Sequence, residues 1–263
     1  MVMKLNQAGM ERGKQEEAAE EEEIVCLDES FFINDNYQLT TFTFGSQVLQ
    51  LFCLQSSSTD YDLTGQLVWP GAVLLNDYLS KNVKMLQGLS VIELGSGVGI
   101  TGILCSRFCH EVVLTDHNKE VLKVLNKNIE LHSSSATPSC AGLVAEKLEW
   151  GNDDDMGQII QRYPSGFDLV LGADIYILQL LFPSVLNSSH SLSSIPPLFD
   201  TVEQLLRLRG GHCKFILAYV SRAKMMDAMV VDEAIRHGMK ISEVNETRSV
   251  VRNLEGVIYE IKL

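Results

Sequence analysis

Nine residues constrain this chain more than any others: Val91-Ile92-Glu93-Leu94-Gly95-Ser96-Gly97-Val98-Gly99. A short apolar run rich in β-branched residues ends in three glycines spaced by two, and helical spacing follows from Ile100. Glycines between a strand and a helix allow a tight turn and a close backbone approach to a ligand. The helix start adds free N–H donors and the positive end of a dipole. The strand–loop–helix unit therefore predicts a ligand site at the C-terminal end of a parallel sheet.

Alternation of strands and helices continues on both sides of this loop. The patterning predicts helices over Ala72–Leu79, Ile100–Cys109, Lys119–His132, Leu198–Leu208 and Met225–His237. Strands are predicted at Val91–Leu94, Glu111–Thr115, Leu143–Leu148, Phe167–Leu171 and Lys214–Val220. Ile241–Glu246 and Gly256–Lys262 read as a final antiparallel pair. The fold class is α/β: a Rossmann-like, mostly parallel sheet with helices on both faces. Ahead of it, Phe31–Ile33, Tyr37–Phe44 and Val48–Leu54 are β-prone runs separated by turn residues, which predicts an N-terminal β-meander. Ser133–Cys140 reads as a surface loop, and Leu180–Ser194 as a long surface loop or a lid over the acceptor pocket. The expected organisation is an acidic disordered arm over 1–23, a β extension over 24–62 and the α/β domain over 63–263.

Charge and cysteine usage narrow the function classes. The net charge is −13, and six glutamates lie between Glu16 and Glu23. Such a block is usually a solvated arm, and it can also attract a basic partner. The balance argues against nucleic-acid binding, which needs basic patches to displace counterions. No apolar run is long enough to span a bilayer, and no secretory pattern opens the chain. A soluble cytoplasmic chain is expected, with a nuclear location left open. The six cysteines show no paired spacing of the C-x-x-C kind, so buried thiols are expected rather than a metal site.

The ligand's chemistry is less settled at this level. Gly97-Val98-Gly99-Ile100-Thr101-Gly102 is a formal G-x-G-x-x-G, the dinucleotide fingerprint. Against that reading, Gly95 ends the strand two residues earlier, and Glu93 places a carboxylate beside the loop. A carboxylate repels a pyrophosphate and suits a cation. Asp116, at the end of the next strand, is placed to accept both hydroxyls of a ribose. It can equally cap the following helix together with Asn118.

Five elements occur in order: Leu67-Val68-Trp69-Pro70-Gly71-Ala72, the Glu93–Gly99 loop, Asp116, Leu148-Glu149-Trp150-Gly151 and Leu171-Gly172-Ala173-Asp174. This series resembles the seven-β-strand, class I S-adenosylmethionine-dependent methyltransferases of the lysine methyltransferase-like branch, methyltransferase family 16. The resemblance covers roughly Leu63 to Leu263. It implies a seven-stranded sheet with the last strand antiparallel, S-adenosylmethionine as cofactor, and a protein substrate with a basic or lysine-containing surface. By motif match it implies cofactor contacts from Trp69, Glu93, Gly95, Ser96, Gly97, Gly99, Asp116, Trp150 and Ala173. It makes Asp174 and Tyr176 the residues that face the acceptor. The family commonly has D-x-x-Y after the fourth strand, whereas Asp174-Ile175-Tyr176 brings the tyrosine one residue early. On an extended segment that step turns the side chain to the opposite face. A small-molecule methyltransferase and a non-catalytic cofactor-binding protein stay open beside a protein lysine methyltransferase. A nicotinamide enzyme is the remaining minor option.

Overall fold

A computed structural model describes residues 37–55, 65–133, 142–174, 194–221, 224–251 and 253–263. The chain opens with an antiparallel hairpin of β1 (Gln38–Phe44) and β2 (Gln47–Cys53). Then come α1 (Pro70–Lys81), β3 (Ser90–Leu94), α2 (Ile100–Cys105), β4 (Glu111–Asp116), α3 (Lys119–Ser133) and β5 (Gly142–Lys147). The second half holds α4 (Asp153–Arg162), β6 (Leu169–Ala173), α5 (Ile195–Leu208), β7 (Lys214–Val220) and α6 (Lys224–Arg236). Three strands close the chain: β8 (Lys240–Glu243), β9 (Ser249–Val251) and β10 (Leu254–Lys262).

The main sheet has the order β5-β4-β3-β6-β7-β10-β8, and the short β9 pairs beside β8 on β10. Strands β3 to β7 are mutually parallel, while β10 runs antiparallel to β7, β8 and β9. The order reverses between β3 and β6. Chain connections leave to opposite sides at that point, which opens a crevice at the strand C-termini.

Strand alternation decides which face each side chain serves. Ile92, Leu94, Val170, Phe215 and Leu217 join one buried layer with α4, α5 and α6. Val91, Leu169, Leu171, Ile216 and Ala218 join the other with α1, α2, α3 and the hairpin residues Phe44, Leu49 and Leu51. Helices thus cover both faces, as the patterning predicts. The hairpin is part of the second layer rather than an appendage. Among the described residues, Cys53, Cys105, Cys109 and Cys213 are free and buried, as expected of scattered thiols.

Three elements depart from the sequence reading, and the first is β9, which gives the sheet eight strands where the resemblance implies seven. Helix α4 was not predicted, although Asn152 accepts the Asp154 and Asp155 N–H groups at 3.0 Å and three aspartates fill its first turn. Those residues are a helix N-terminal signature. The segment is rich in Asp and Gly, which masks its narrow apolar face of Met156 and Ile159. Helix α2 stops at Cys105, four residues before the predicted Cys109. The expected arm over 1–23, the strand at Phe31–Ile33 and Tyr176 lie outside the described residues. So does the Ser133–Cys140 loop from residue 134 and the Leu180–Ser194 segment up to residue 193. No helix among the described residues is long and apolar enough to cross a membrane.

Candidate functional site

A cavity of about 280 Å³ opens at the switch point between β3 and β6. Its lining includes Trp69, Glu93, Gly95, Ser96, Gly97, Asp116, Trp150, Ala173 and Asp174. Nine of the residues singled out in the sequence therefore meet around one space, although they come from five separate segments. Gly99 is the exception. It lies behind the cavity with φ +86°, and a Cβ there would come within 2.4 Å of the Leu125 side chain. Glycine there lets the start of α2 pack against α3.

The floor is the glycine loop. Gly97 has φ +53°, and a Cβ on it would lie 2.6 Å from the Gly65 carbonyl oxygen. Left-handed backbone and a close neighbour together require glycine there. Ser96 ties the loop to β4. Its N–H donates to the Thr115 carbonyl at 2.8 Å, and its hydroxyl accepts the Thr115 N–H at 3.0 Å.

Two buried carboxylates flank this floor. Glu93 faces the layer that holds α1 and α2, since its neighbours Ile92 and Leu94 face the other. Its Oε2 accepts the Gly102 N–H at 3.0 Å. Gly99, the N-cap of α2, has no side chain to offer that donor. Glu93 therefore supplies the helix cap from a neighbouring strand. Burial pushes its pKa up to about 7, even though hydrogen bonds from Thr101, Gly102 and Ser96 favour the charged form. Thr101 also accepts from Asn76 Nδ2 at 2.9 Å, which links α1 to the same network.

Asp116 ends β4 and is 7% exposed. Its Oδ2 accepts the Gly97 N–H at 3.2 Å and its Oδ1 the Asn118 N–H at 3.0 Å. Burial raises its pKa, opposed by those bonds and by His117. The cap of α3 is Asn118, whose Oδ1 accepts the Glu120 and Val121 N–H groups at 2.8 and 3.2 Å. Asp116 is thus relieved of the capping role left open above and faces the cavity. His117, which the sequence reading passed over, is an exposed part of the same wall. Its adjacency to Asp116 was the available signal.

Two tryptophans form further walls. Trp69 is the N-cap residue of α1 but makes no side-chain cap. The Gly71 N–H donates instead to Asp174 Oδ2, across from the end of β6. Trp150 sits in a turn fixed on two sides. Asp155 Oδ2 accepts the Glu149 N–H at 3.0 Å, and Thr201 Oγ1 accepts the Gly151 N–H at 3.0 Å. Ala173 is the last residue of β6, and Asp174 follows it with φ +52°. Left-handed backbone is uncommon outside glycine, and Asp tolerates it better than most residues. Among the described residues, no group of three or more His, Cys, Asp or Glu side chains is arranged to hold a metal ion.

The chemistry of this lining fits a cationic nucleoside. Two buried carboxylates gain from a cation or from hydroxyl donors, and an anionic pyrophosphate would meet both of them. The family profile described as lysine methyltransferase matches residues 52–226. The chain belongs to this family. It is 32% identical over 159 residues to the mouse protein N-lysine methyltransferase METTL21A, covering 59% of this chain and 66% of that one. It is 36% identical over 123 residues to EEF1A lysine methyltransferase 3 of Xenopus tropicalis, covering 46% of this chain and 49% of the relative. The protein-lysine N-methyltransferase EFM3 of Chaetomium thermophilum is 28% identical over 152 residues, covering 56% of this chain and 40% of its own length. The matched stretch thus spans between two-fifths and two-thirds of these relatives.

Proposed function

We propose that this lysine methyltransferase family member binds S-adenosylmethionine in the β3–β6 crevice and methylates a lysine side chain of a protein. One observation carries the reading: two buried carboxylates, Glu93 and Asp116, flank a single glycine loop in a cavity walled by the chain's two tryptophans. When bound, S-adenosylmethionine supplies a methyl group already activated on a sulfonium. Asp116 would hold the ribose hydroxyls, and the Gly95–Gly97 backbone with Glu93 would hold the amino-acid end. Trp69 and Trp150 would cover the ligand and exclude water, which strengthens each polar contact inside. Ala173 would border the mouth and leave room for the acceptor.

The acceptor amine must lose its proton before it attacks, since a free lysine has a pKa of about 10.4. A partly apolar mouth favours the neutral amine. Glu149 is exposed at the cavity, and Asp153 and Asp154 are exposed on the next turn. That acidic rim, together with the net charge of −13, suits a substrate with a basic surface. The relatives named above act on protein lysines by their names, which supports the same class here.

The test is methyl transfer from labelled S-adenosylmethionine into cell lysate, followed by amino-acid analysis of the labelled material. Label in protein as methyllysine is the expected result. Label only in a small-molecule extract points to a small-molecule enzyme. Cofactor binding without any label points to a non-catalytic protein.

A further inference from the structure

Asn128, midway along α3, is fully buried and is bonded to backbone on two other segments. Its Oδ1 accepts the Phe52 N–H at 2.8 Å, and its Nδ2 donates to the Phe52 carbonyl at 3.0 Å. These two bonds do what a neighbouring strand would do for β2, with a side-chain amide in place of a peptide group. The second N–H of the same Nδ2 donates to the Val98 carbonyl at 2.9 Å. Val98 is buried inside the glycine loop and also lines the cavity.

Strand β2 reaches that loop by a second route. The Leu54 N–H donates to the Gln66 carbonyl at 2.9 Å. The adjoining Gly65 carbonyl is the group that a Cβ on Gly97 would meet at 2.6 Å. Two contact paths from residues 52–54 therefore converge on Gly97 and Val98. Around them, Cys53, Val98 and Val124 form a small apolar cluster that excludes water from these bonds.

We propose that Asn128 is a positioning residue for the cofactor loop, and that through it the β1–β2 hairpin is part of the cofactor-binding apparatus. The physical reason is preorganisation. A loop with glycines in left-handed conformation has many alternatives when free, and ordering it on binding weakens affinity. Fixing the Val98 carbonyl fixes the peptide planes beside it before the ligand arrives. The inference rests on the reading of the cavity as an S-adenosylmethionine site.

Calorimetry with S-adenosylhomocysteine on the full chain separates the two claims. No binding to the wild-type chain would remove the site reading itself. Asn128→Asp keeps the shape and the acceptor but loses both donors. Ile129→Ala, on the next residue of α3, creates a core cavity without touching the loop's hydrogen bonds. At matched loss of thermal stability, Asn128→Asp should weaken binding about tenfold and Ile129→Ala should not. In turnover assays the KM for S-adenosylmethionine should rise while kcat changes little. Equal affinities for the two variants, or a fall in kcat at unchanged cofactor affinity, would overturn the proposal. Should Asn128→Asp fail to fold, hydrogen exchange on the wild-type chain still decides. Because coupling between sites is reciprocal, S-adenosylhomocysteine should slow exchange of the Phe52 and Leu54 amides. Unchanged exchange at both amides would equally overturn it.

Discussion

Asp174 Oδ2 accepts the N–H of Gly71, which joins the end of β6 to the first turn of α1. A Cβ on Gly71 would come within 2.6 Å of the Asp174 carboxyl carbon. The Trp69-Pro70-Gly71 element and Asp174, 103 positions apart, thus belong to one device. Pro70 needs no partner at the first helical position, and Gly71 makes room for the carboxylate that satisfies the next N–H. An acid expected to face only the acceptor also anchors the wall that carries Trp69.

That relationship sets the first prediction. Asp174→Ala should cost about 1 kcal/mol of stability, as loss of a helix N-cap does. It should also weaken S-adenosylmethionine binding, because Trp69 is released at the cavity edge. Asp174→Asn keeps an acceptor and should bind more tightly than the alanine variant. Both tryptophans line the cavity, so intrinsic fluorescence titration with cofactor reads this directly. An alanine variant with wild-type titration but reduced turnover would place Asp174 at the acceptor alone.

Glu93 gives a prediction with a defined pH window. Its folded pKa is raised from 4.5 to about 7 by burial. The stability it contributes is fully present below pH 4.5 and is lost as pH rises through about 7. Above that, the chain carries a buried charge costing on the order of 3 kcal/mol. Glu93→Gln keeps an oxygen for the Gly102 N–H and removes the charge. It should melt higher than wild type at pH 8, and the difference should vanish near pH 4.5. Cofactor affinity should move the other way. A bound cation favours the carboxylate, so wild-type affinity should fall as pH drops below about 7. Glu93→Gln should bind weakly with little pH dependence. Thermal melts and calorimetry across pH 4.5 to 8 check both.

Asp116 accepts the Gly97 N–H and faces the cavity while Asn118 caps α3. Asp116→Ala should therefore spare α3 and weaken S-adenosylmethionine binding about tenfold to a hundredfold, the range for a hydrogen bond to a charged group. Asn118→Ala should cost stability and leave affinity nearly unchanged. Calorimetry and thermal melts on the pair check it. Equal affinities for wild type and Asp116→Ala would remove the ribose assignment.

Much of this site was legible because its signals are local. The glycine loop, Asp116 and the strand ends each announce themselves within a few residues, and parallel β-α-β topology brings strand C-termini together. What was not legible is pairing at a distance. Asn128 reads as one more polar residue on an amphipathic helix, and only the packed hairpin shows that it is bonded to Phe52 and Val98. Glu93 reads as a ligand for a cation, while its bond to Gly102 depends on which face of β3 it takes. Helix α4 is not legible from periodicity, because its cap outweighs its apolar pattern.

A last prediction concerns the opposite face of the sheet. The His237 side chain is 5% exposed between α5 and α6, and its ring is stacked on Phe199 at 6.0 Å between centroids. Its Nε2 lies 2.9 Å from Asp200 Oδ1, its Nδ1 lies 3.0 Å from the Glu233 carbonyl, and Glu203 stands 3.9 Å away. Burial disfavours the imidazolium, but the bonds to Asp200 and to the Glu233 carbonyl together outweigh it and hold the pKa above the ordinary 6.5. The clamp's stability is therefore fully present below pH 6.5 and is lost as pH rises through the higher folded value. Asp200 is half exposed, so solvent screening keeps the effect small. Between pH 6 and 8.5 the wild-type melting temperature should fall by about 2 °C more than that of His237→Gln. Parallel curves for the two proteins would show that His237 stays neutral and serves packing alone.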